Sequence, residues 1–373
     1  MSPVEGRPAA AEAAEVGTIH LVYPHGPLTA TPDAIGRNLG ERLETRYRVV
    51  YHNWMDRDDI HPEPGDVLLG HPHPSGRTVF SRSSRNPGWK RIVMLSPLNG
   101  DPYQVAFLDS VIRRCDIYVA ITGPYWLRWL GSSTFSHWVP KTVGLDLAIA
   151  RADFPVLRKR ANDPGKRGFV YIGHTGPTKN TPYLSEIARH MPGVDFGWIG
   201  SGDRPIKGVR QLGRQDFRTQ AARDLVSGFD FLLMVSKYDS NPTTVLEAMS
   251  WGLIPVCTPQ CGYDDTPTIL NVPLNDAEEA ARILLELETA PSDLLAEIQQ
   301  RNWDLLNTYY TWDRFAARVI DAIESPLSPP LGREGPIRRA RLIASEWASP
   351  MGPIRRGAPE TLRRLRTRLR PPA

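Results

Sequence analysis

Short apolar runs recur along the chain, each bounded by Gly, Pro or charged residues and separated by stretches of helix length. Residues 19–23, 47–51, 66–69, 91–95 and 116–121 read as one set of strands, with a helix over about 32–43. A second set follows at 168–173, 195–199, 209–212, 230–235 and 254–257, and helices at about 276–288, 294–308 and 312–323 close the body. Strands alternating with helix-length segments predict parallel α/β sheets. Between the two sets, 152–166 is charged, contains proline and has no period, which predicts a linker. Two such sheets leave a cleft at the carboxyl ends of their strands, where open α/β sheets bind ligands. No internal repeat of solenoid length is present.

Composition changes this picture little. A chain of 373 residues suits two domains with separate cores. The longest apolar runs fall short of a membrane span, and the opening Met1–Gly6 lacks the basic and apolar regions of a secretory signal. Cys115, Cys257 and Cys261 are few and odd in number, so a reduced, cytoplasmic chain is expected. Cys257-x3-Cys261 has no matching His/Cys pair, and no structural zinc is expected. Charge is unevenly placed. From Arg333 onward, eleven Arg and three Glu give +8, so the other 332 residues carry −4 of the total of +4.

The most informative stretch is Ser236-Lys237-Tyr238-Asp239-Ser240-Asn241-Pro242-Thr243-Thr244-Val245-Leu246-Glu247, which joins the apolar run before it to a short helix expected to stop at Gly252. Two carboxylates, Asp239 and Glu247, stand eight positions apart across a helix N-terminus, where free N–H groups and the dipole favour an anion such as phosphate. Local chemistry offers another reading. Thr244-x-x-Glu247 fits a capping box, and Asp239 fits a simple turn. The segment resembles the E-x7-E donor motif of retaining GT-B glycosyltransferases of the family-four type, with Asp239 where Glu is usual.

That resemblance covers residues 18–325 in order and spacing. It implies two Rossmann-like domains facing across a cleft, with a C-terminal helix crossing back onto the N-terminal domain. The expected division is 1–16 disordered, 17–152 on the acceptor side, 153–167 as linker, 168–310 for the nucleotide sugar, 311–326 as crossing helix, and 327–373 as a basic, partly disordered tail. By resemblance Glu247 would hold the ribose hydroxyls. Asp239 and the backbone of Ser240, Asn241, Pro242 and Thr243 would hold the transferred sugar.

Gly173-His174-Thr175-Gly176-Pro177-Thr178-Lys179-Asn180 follows the first strand of the second set, and Lys179 there can neutralise a leaving diphosphate without a metal. The family usually has Gly-Arg, four residues, then Lys-Gly; His174 and Asn180 depart from it. Gly200 and Gly202 resemble the family's glycine turn beside the nucleotide base. In the first half, Gly26 follows the first strand and resembles the glycine loop near the donor phosphates, though a tight turn explains it equally well.

His71 and His73 stand two apart at a strand's carboxyl end and are expected to point the same way into the cleft, as acid–base or acceptor-side groups or as structural histidines. Ser96 and Asn99 lie where the family often has a histidine. Tyr125 and Trp126 offer faces for a sugar, lipid or aromatic acceptor, against a default of core packing. Asp56-x-Asp58 reads as a solvated loop.

The tail, with leucines at 362, 365 and 369 among arginines, reads either as a basic amphipathic arm for an anionic membrane surface or as an Arg-rich extension without partner. The expected activity is metal-independent transfer, with retention, of a hexosyl group from a nucleotide-diphosphate sugar. The acceptor is a sugar, lipid-linked or small-molecule hydroxyl. No cofactor and no nucleic-acid partner are expected. A nucleotide-sugar epimerase and an inactive sugar-nucleotide-binding protein are the alternatives.

Overall fold

In the computed structural model the residues described are 17–24, 31–73, 78–202, 204–326 and 331; the expectations for 1–16, for Gly26 and for the basic tail lie outside them. The first half runs β1 (Thr18–Val22), α1 (Thr31–Leu43), β2 (Arg48–His52), β3 (Val67–Gly70), α2 (Val79–Ser83), β4 (Arg91–Pro97), α3 (Pro102–Ile112), β5 (Ile117–Ile121), α4 (Pro124–Ser132) and β6 (Thr142–Leu145). Its six strands pair in parallel in the order β2-β1-β3-β4-β5-β6.

The second half runs β7 (Gly168–Ile172), α5 (Thr181–His190), β8 (Asp195–Ile199), β9 (Arg210–Gln211), α6 (Gln220–Ser227), β10 (Phe231–Met234), α7 (Thr243–Trp251), β11 (Ile254–Cys257), β12 (Leu270–Asn271), α8 (Ala277–Thr289) and α9 (Ser292–Thr308). Its six parallel strands stand in the order β12-β11-β10-β7-β8-β9. Strands such as β5, β7 and β10 are buried at every position, which is why each appears as an unbroken apolar run.

The last helix, α10 (Trp312–Glu324), leaves the second half and packs its Trp312, Phe315, Val319 and Ile323 face into the core of the first sheet. Arg91, at the start of β4, holds it there by donating to the carbonyls of Ala322 and Ile323 at 3.0 and 2.6 Å. Arg167 does the same for α8, donating to Leu287, Glu288 and Ala290 carbonyls at 3.0, 2.9 and 2.6 Å. A buried guanidinium at a helix C-terminus satisfies orphan carbonyls and complements the dipole.

The segment expected as a linker is irregular apart from a short 3-10 turn at Arg151–Asp153, yet it is clamped to the second half. Asp230 is buried and accepts from Arg158 (2.7 Å), from the backbone and side chain of Asn162 (2.7 and 2.9 Å), and from the Gly168 amide (3.1 Å).

Candidate functional site

The strand order of the second sheet marks the site. The chain winds outward from the β7–β10 pair in both directions, so the loops leaving these two strands part at a switch point and open a crevice. The loop after β7 carries Lys179 and the loop after β10 carries Asp239. Their side chains form an ion pair across the crevice, 60 positions apart in sequence and 16% and 14% exposed. Asp239 also accepts from the Ser236 hydroxyl (3.0 Å) and the Ser240 amide (3.0 Å), while the Lys237 amide donates to the Thr178 carbonyl (2.8 Å) and ties the two loops together.

Asn241 then turns the chain with φ +46. It is fully buried, its amide N–H donates to the Cys261 carbonyl (3.0 Å), and its Nδ2 donates to the Gly262 carbonyl (3.0 Å). Pro242 is the N-cap of α7, and no side chain caps this helix. The capping box does not form, because the helix starts at Thr243 and Thr244 already lies inside its first turn. Proline offers no side-chain acceptor, which leaves the first N–H groups of α7 without the usual cap. Glu247 sits one turn further in, hydrogen-bonded to the Thr243 side chain. Burial pushes its pKa up to about 7, and the Thr243 bond only partly opposes this. The helix stops at Gly252, whose φ is +95.

The loops after β7 and β8 touch through glycine. A Cβ on Gly200 would lie 2.0 Å from the Gly173 carbonyl oxygen, and one on Gly202 would lie 1.9 Å from the Thr175 hydroxyl. His174 is exposed and its Nδ1 accepts from the Gly176 amide (2.9 Å). Desolvation, and then the neighbouring Lys179, hold its pKa below the ordinary histidine value despite Asp239. A cleft of about 930 Å³ opens between these loops, lined by His174, Asn180, Gly202, Arg204, Lys207 and Lys237 among others. Asp239 and Glu247 are not in its wall; the chemistry of the site lies beside this cleft.

In the first sheet the switch point falls between β1 and β3. His71 and His73 follow β3, and both rings pack on Trp54, with centroids 5.2 and 4.7 Å away; Tyr23, just past β1, lies 6.0 Å from His71. Burial and the nearby His73 push the pKa of His71 down to about 3, so its ring is neutral, and its Nδ1 has no partner. Among the described residues no group of three His, Cys, Asp or Glu could hold a metal ion.

Other candidates of the first half are spent on packing. Ser96 is fully buried with its hydroxyl unpartnered, and the Asn99 Oδ1 accepts from the Asp101 amide (3.1 Å) within its own turn. Trp126, offered as an acceptor face against a default of core packing, takes the packing role: it is buried, its ring stacks on Tyr238 at 6.0 Å and its Nε1 donates to the Gln260 carbonyl (2.9 Å). The Tyr125 hydroxyl accepts from Gln260 and its amide donates to Asp264, both at 2.9 Å. Both residues join the two halves. Cys115, Cys257 and Cys261 are free and buried.

The carboxyl ends of the two sheets face each other. The hydroxyls of Thr31, at the start of α1, and Thr243, at the start of α7, lie 3.2 Å apart. Gly123 and Gly262 meet backbone to backbone, and Asp146 reaches Asn241. Of these junction residues, Asn241 and Thr243 are expected from the sequence only as donor-binding residues, and Asp146, Gly123 and Gly262 carry no such expectation. The one local signal was Gly123-Pro124 directly after an apolar run, a strand-to-helix turn.

Solved structures share this arrangement. A sucrose-phosphate synthase from Thermosynechococcus elongatus aligns at 17% identity over 82% of this chain and 98% of its own, with a TM-score of 0.61. The catalytic domain of starch synthase IV from Arabidopsis thaliana, bound to ADP and acarbose, aligns at 12% over 82% and 98%, with a TM-score of 0.58. A structure described as trehalose-6-phosphate from E. coli bound with UDP-2-fluoro glucose aligns at 11% over 84% and 100%, also at 0.58. No protein-family model and no curated protein matches the chain. At these identities the likeness establishes the fold, the GT-B arrangement of two Rossmann-like domains with the last helix crossing back.

Proposed function

We propose that this chain is a glycosyltransferase that takes its sugar from a nucleotide-diphosphate donor. The observation that carries this reading is the Lys179–Asp239 pair at the switch point of the second sheet, beside the uncapped N-terminus of α7 with Glu247 one turn inside. A cation and a free helix N-terminus suit a diphosphate, and carboxylates on either side suit ribose and sugar hydroxyls. Proteins of this fold bound to ADP with acarbose and to UDP-2-fluoro glucose support the ligand class.

In this reading Glu247 binds the ribose, Asp239 with the 240–243 backbone binds the sugar, and Gly200 and Gly202 border the base. The His174 pKa is held below the ordinary histidine value, and Lys179 is taken as the principal cation on the leaving diphosphate. The hexosyl group moves to an acceptor hydroxyl on the face the diphosphate leaves, with retention, no covalent enzyme intermediate and no metal. His71 and His73 stand on the acceptor side with Trp54. The test is a panel of nucleotide sugars assayed for binding and transfer with the wild type, Lys179→Ala and Glu247→Ala. Loss of transfer in both folded variants is expected; full activity in both refutes the site.

A further inference from the structure

Asp146 lies just past β6, where the chain leaves the first sheet, and its carboxylate serves the second half. Its Oδ1 is 3.4 Å from the Asn241 Nδ2, and its Oδ2 accepts from the Tyr309 hydroxyl at 2.8 Å. Tyr309 caps the end of α9, and the Arg314 guanidinium of α10 stacks 3.6 Å over its ring. Three segments that are distant in sequence thus converge on one carboxylate.

Asn241 needs such support. A non-glycine residue at positive φ is held only where its surroundings over-determine it. Its backbone N–H is held by Cys261 and its Nδ2 is shared between Gly262 and Asp146, while its Oδ1 is buried without a partner. The side chain is therefore fixed only by what its amide donates to. Two residues later α7 begins, and two residues earlier stands Asp239.

We propose that Asp146 is a positioning residue for the loop 236–242: by holding the amide of Asn241 it fixes the left-handed turn that aims the first turn of α7 and presents Asp239 to Lys179. The importance of this for catalysis rests on reading the loop as the donor site; the effect on the loop does not. Asp146 leaves the first sheet and Asn241 leaves the second, so a shift between the halves is felt directly at the head of α7.

The test is amide hydrogen exchange of the ligand-free, full-length chain over 236–247, comparing the wild type with D146L, which keeps bulk without an acceptor, and D146N, which keeps an acceptor oxygen. Exchange at 240–243 is expected to be about tenfold faster in D146L, the effect of losing one hydrogen bond to a charged group. D146N is expected to stay near the wild type. Wild-type exchange in D146L overturns the proposal, and so does equal loosening in both variants, because D146N keeps the acceptor oxygen that the proposal makes decisive. Should D146L not fold, D146A compared with D146N on the same readout decides. D146A removes the acceptor without added bulk and is expected to loosen 240–243 while D146N does not, and wild-type exchange in D146A overturns the proposal. Calorimetry with UDP, ADP and GDP runs alongside. If none binds the wild type, the donor reading fails while the exchange result still decides the role of Asp146.

Discussion

Gly123 and Gly262 bring the two halves of the chain to backbone contact: a Cβ on Gly123 would lie 1.7 Å from the Gly262 carbonyl oxygen. No rotamer change relieves a clash with backbone, so the halves must separate or the turn at Gly262 must move. Gly262 itself has φ +84, and its carbonyl also accepts from Asn241. Gly123→Ala is therefore expected to cost about 1–3 kcal/mol, the range for overpacking a close contact. Thermal denaturation checks this, and an alanine variant as stable as the wild type would show that the junction can slide.

Lys179 is expected to matter far more for chemistry than for folding. Its ion pair with Asp239 is mostly buried, so removing the lysine costs more than the ~1 kcal/mol of an exposed pair and less than the about 3–5 kcal/mol of a stranded buried charge. Asp239 keeps the Ser236 hydroxyl and Ser240 amide when the lysine is removed. Lys179→Ala should then shift the unfolding free energy by about 1–3 kcal/mol, while transfer by the folded variant falls roughly 10²- to 10³-fold, as when one group stabilising developing charge is lost. Denaturant unfolding and initial-rate assays on one preparation separate the two effects. A loss of stability large enough to explain the lost activity would remove the case for a role in transfer.

Lys179 and Asp239 were legible in the sequence because each follows a strand buried along its whole length, and parallel topology sends the loops after β7 and β10 to the same edge. Glu247 was legible through its spacing from Asp239. The junction was not. Asp146, Gly123 and Gly262 act on partners that come near only when one sheet docks on the other, and no local period records docking. Trp126 was open to two readings for the same reason: an aromatic on an amphipathic helix looks alike whether a sugar or Tyr238 covers it. The capping box at Thr244 failed because Asn241 and Pro242 start the helix two residues earlier than the box requires, a turn held by the Cys261–Gly262 carbonyls rather than by its own sequence.

Asp230 is expected to be the costliest polar residue of the second half to replace. Its carboxylate takes four donors from Arg158, Asn162 and Gly168 while almost fully buried. Asp230→Ala leaves the Arg158 guanidinium buried without its counter-charge, for which a loss of about 3–5 kcal/mol is expected. Denaturant titration measures it, and a loss below about 1 kcal/mol would mean that the clamp between 158–168 and β10 adds nothing.

Glu247 gives the site a pH dependence of predictable sign. Its folded pKa is raised from 4.5 to about 7 by burial, so between those values the native chain holds a proton that the unfolded chain has released. The group's contribution to stability is whole below about pH 4.5, declines as pH rises through this window and is lost above 7. Glu247→Gln removes the titration. Relative to the wild type it should gain stability from pH 5 to pH 8, by at most about 3 kcal/mol at 1.36 kcal/mol per pKa unit, and by less because the residue is partly exposed. Ribose hydroxyls donate best to the ionised carboxylate, so nucleotide-diphosphate binding should instead strengthen as pH rises through about 7. The pKa values of His71 and His174 are both held below the ordinary histidine value, and the nucleotide's own terminal phosphate ionises near the same pH, so the share due to Glu247 is the difference between the wild-type and Glu247→Gln profiles. Calorimetric affinities from pH 5.5 to 8.5 test the sign. A wild-type profile with the same slope as that of Glu247→Gln would place the carboxylate away from the ribose, and opposite trends in stability and affinity would place it where the nucleotide binds.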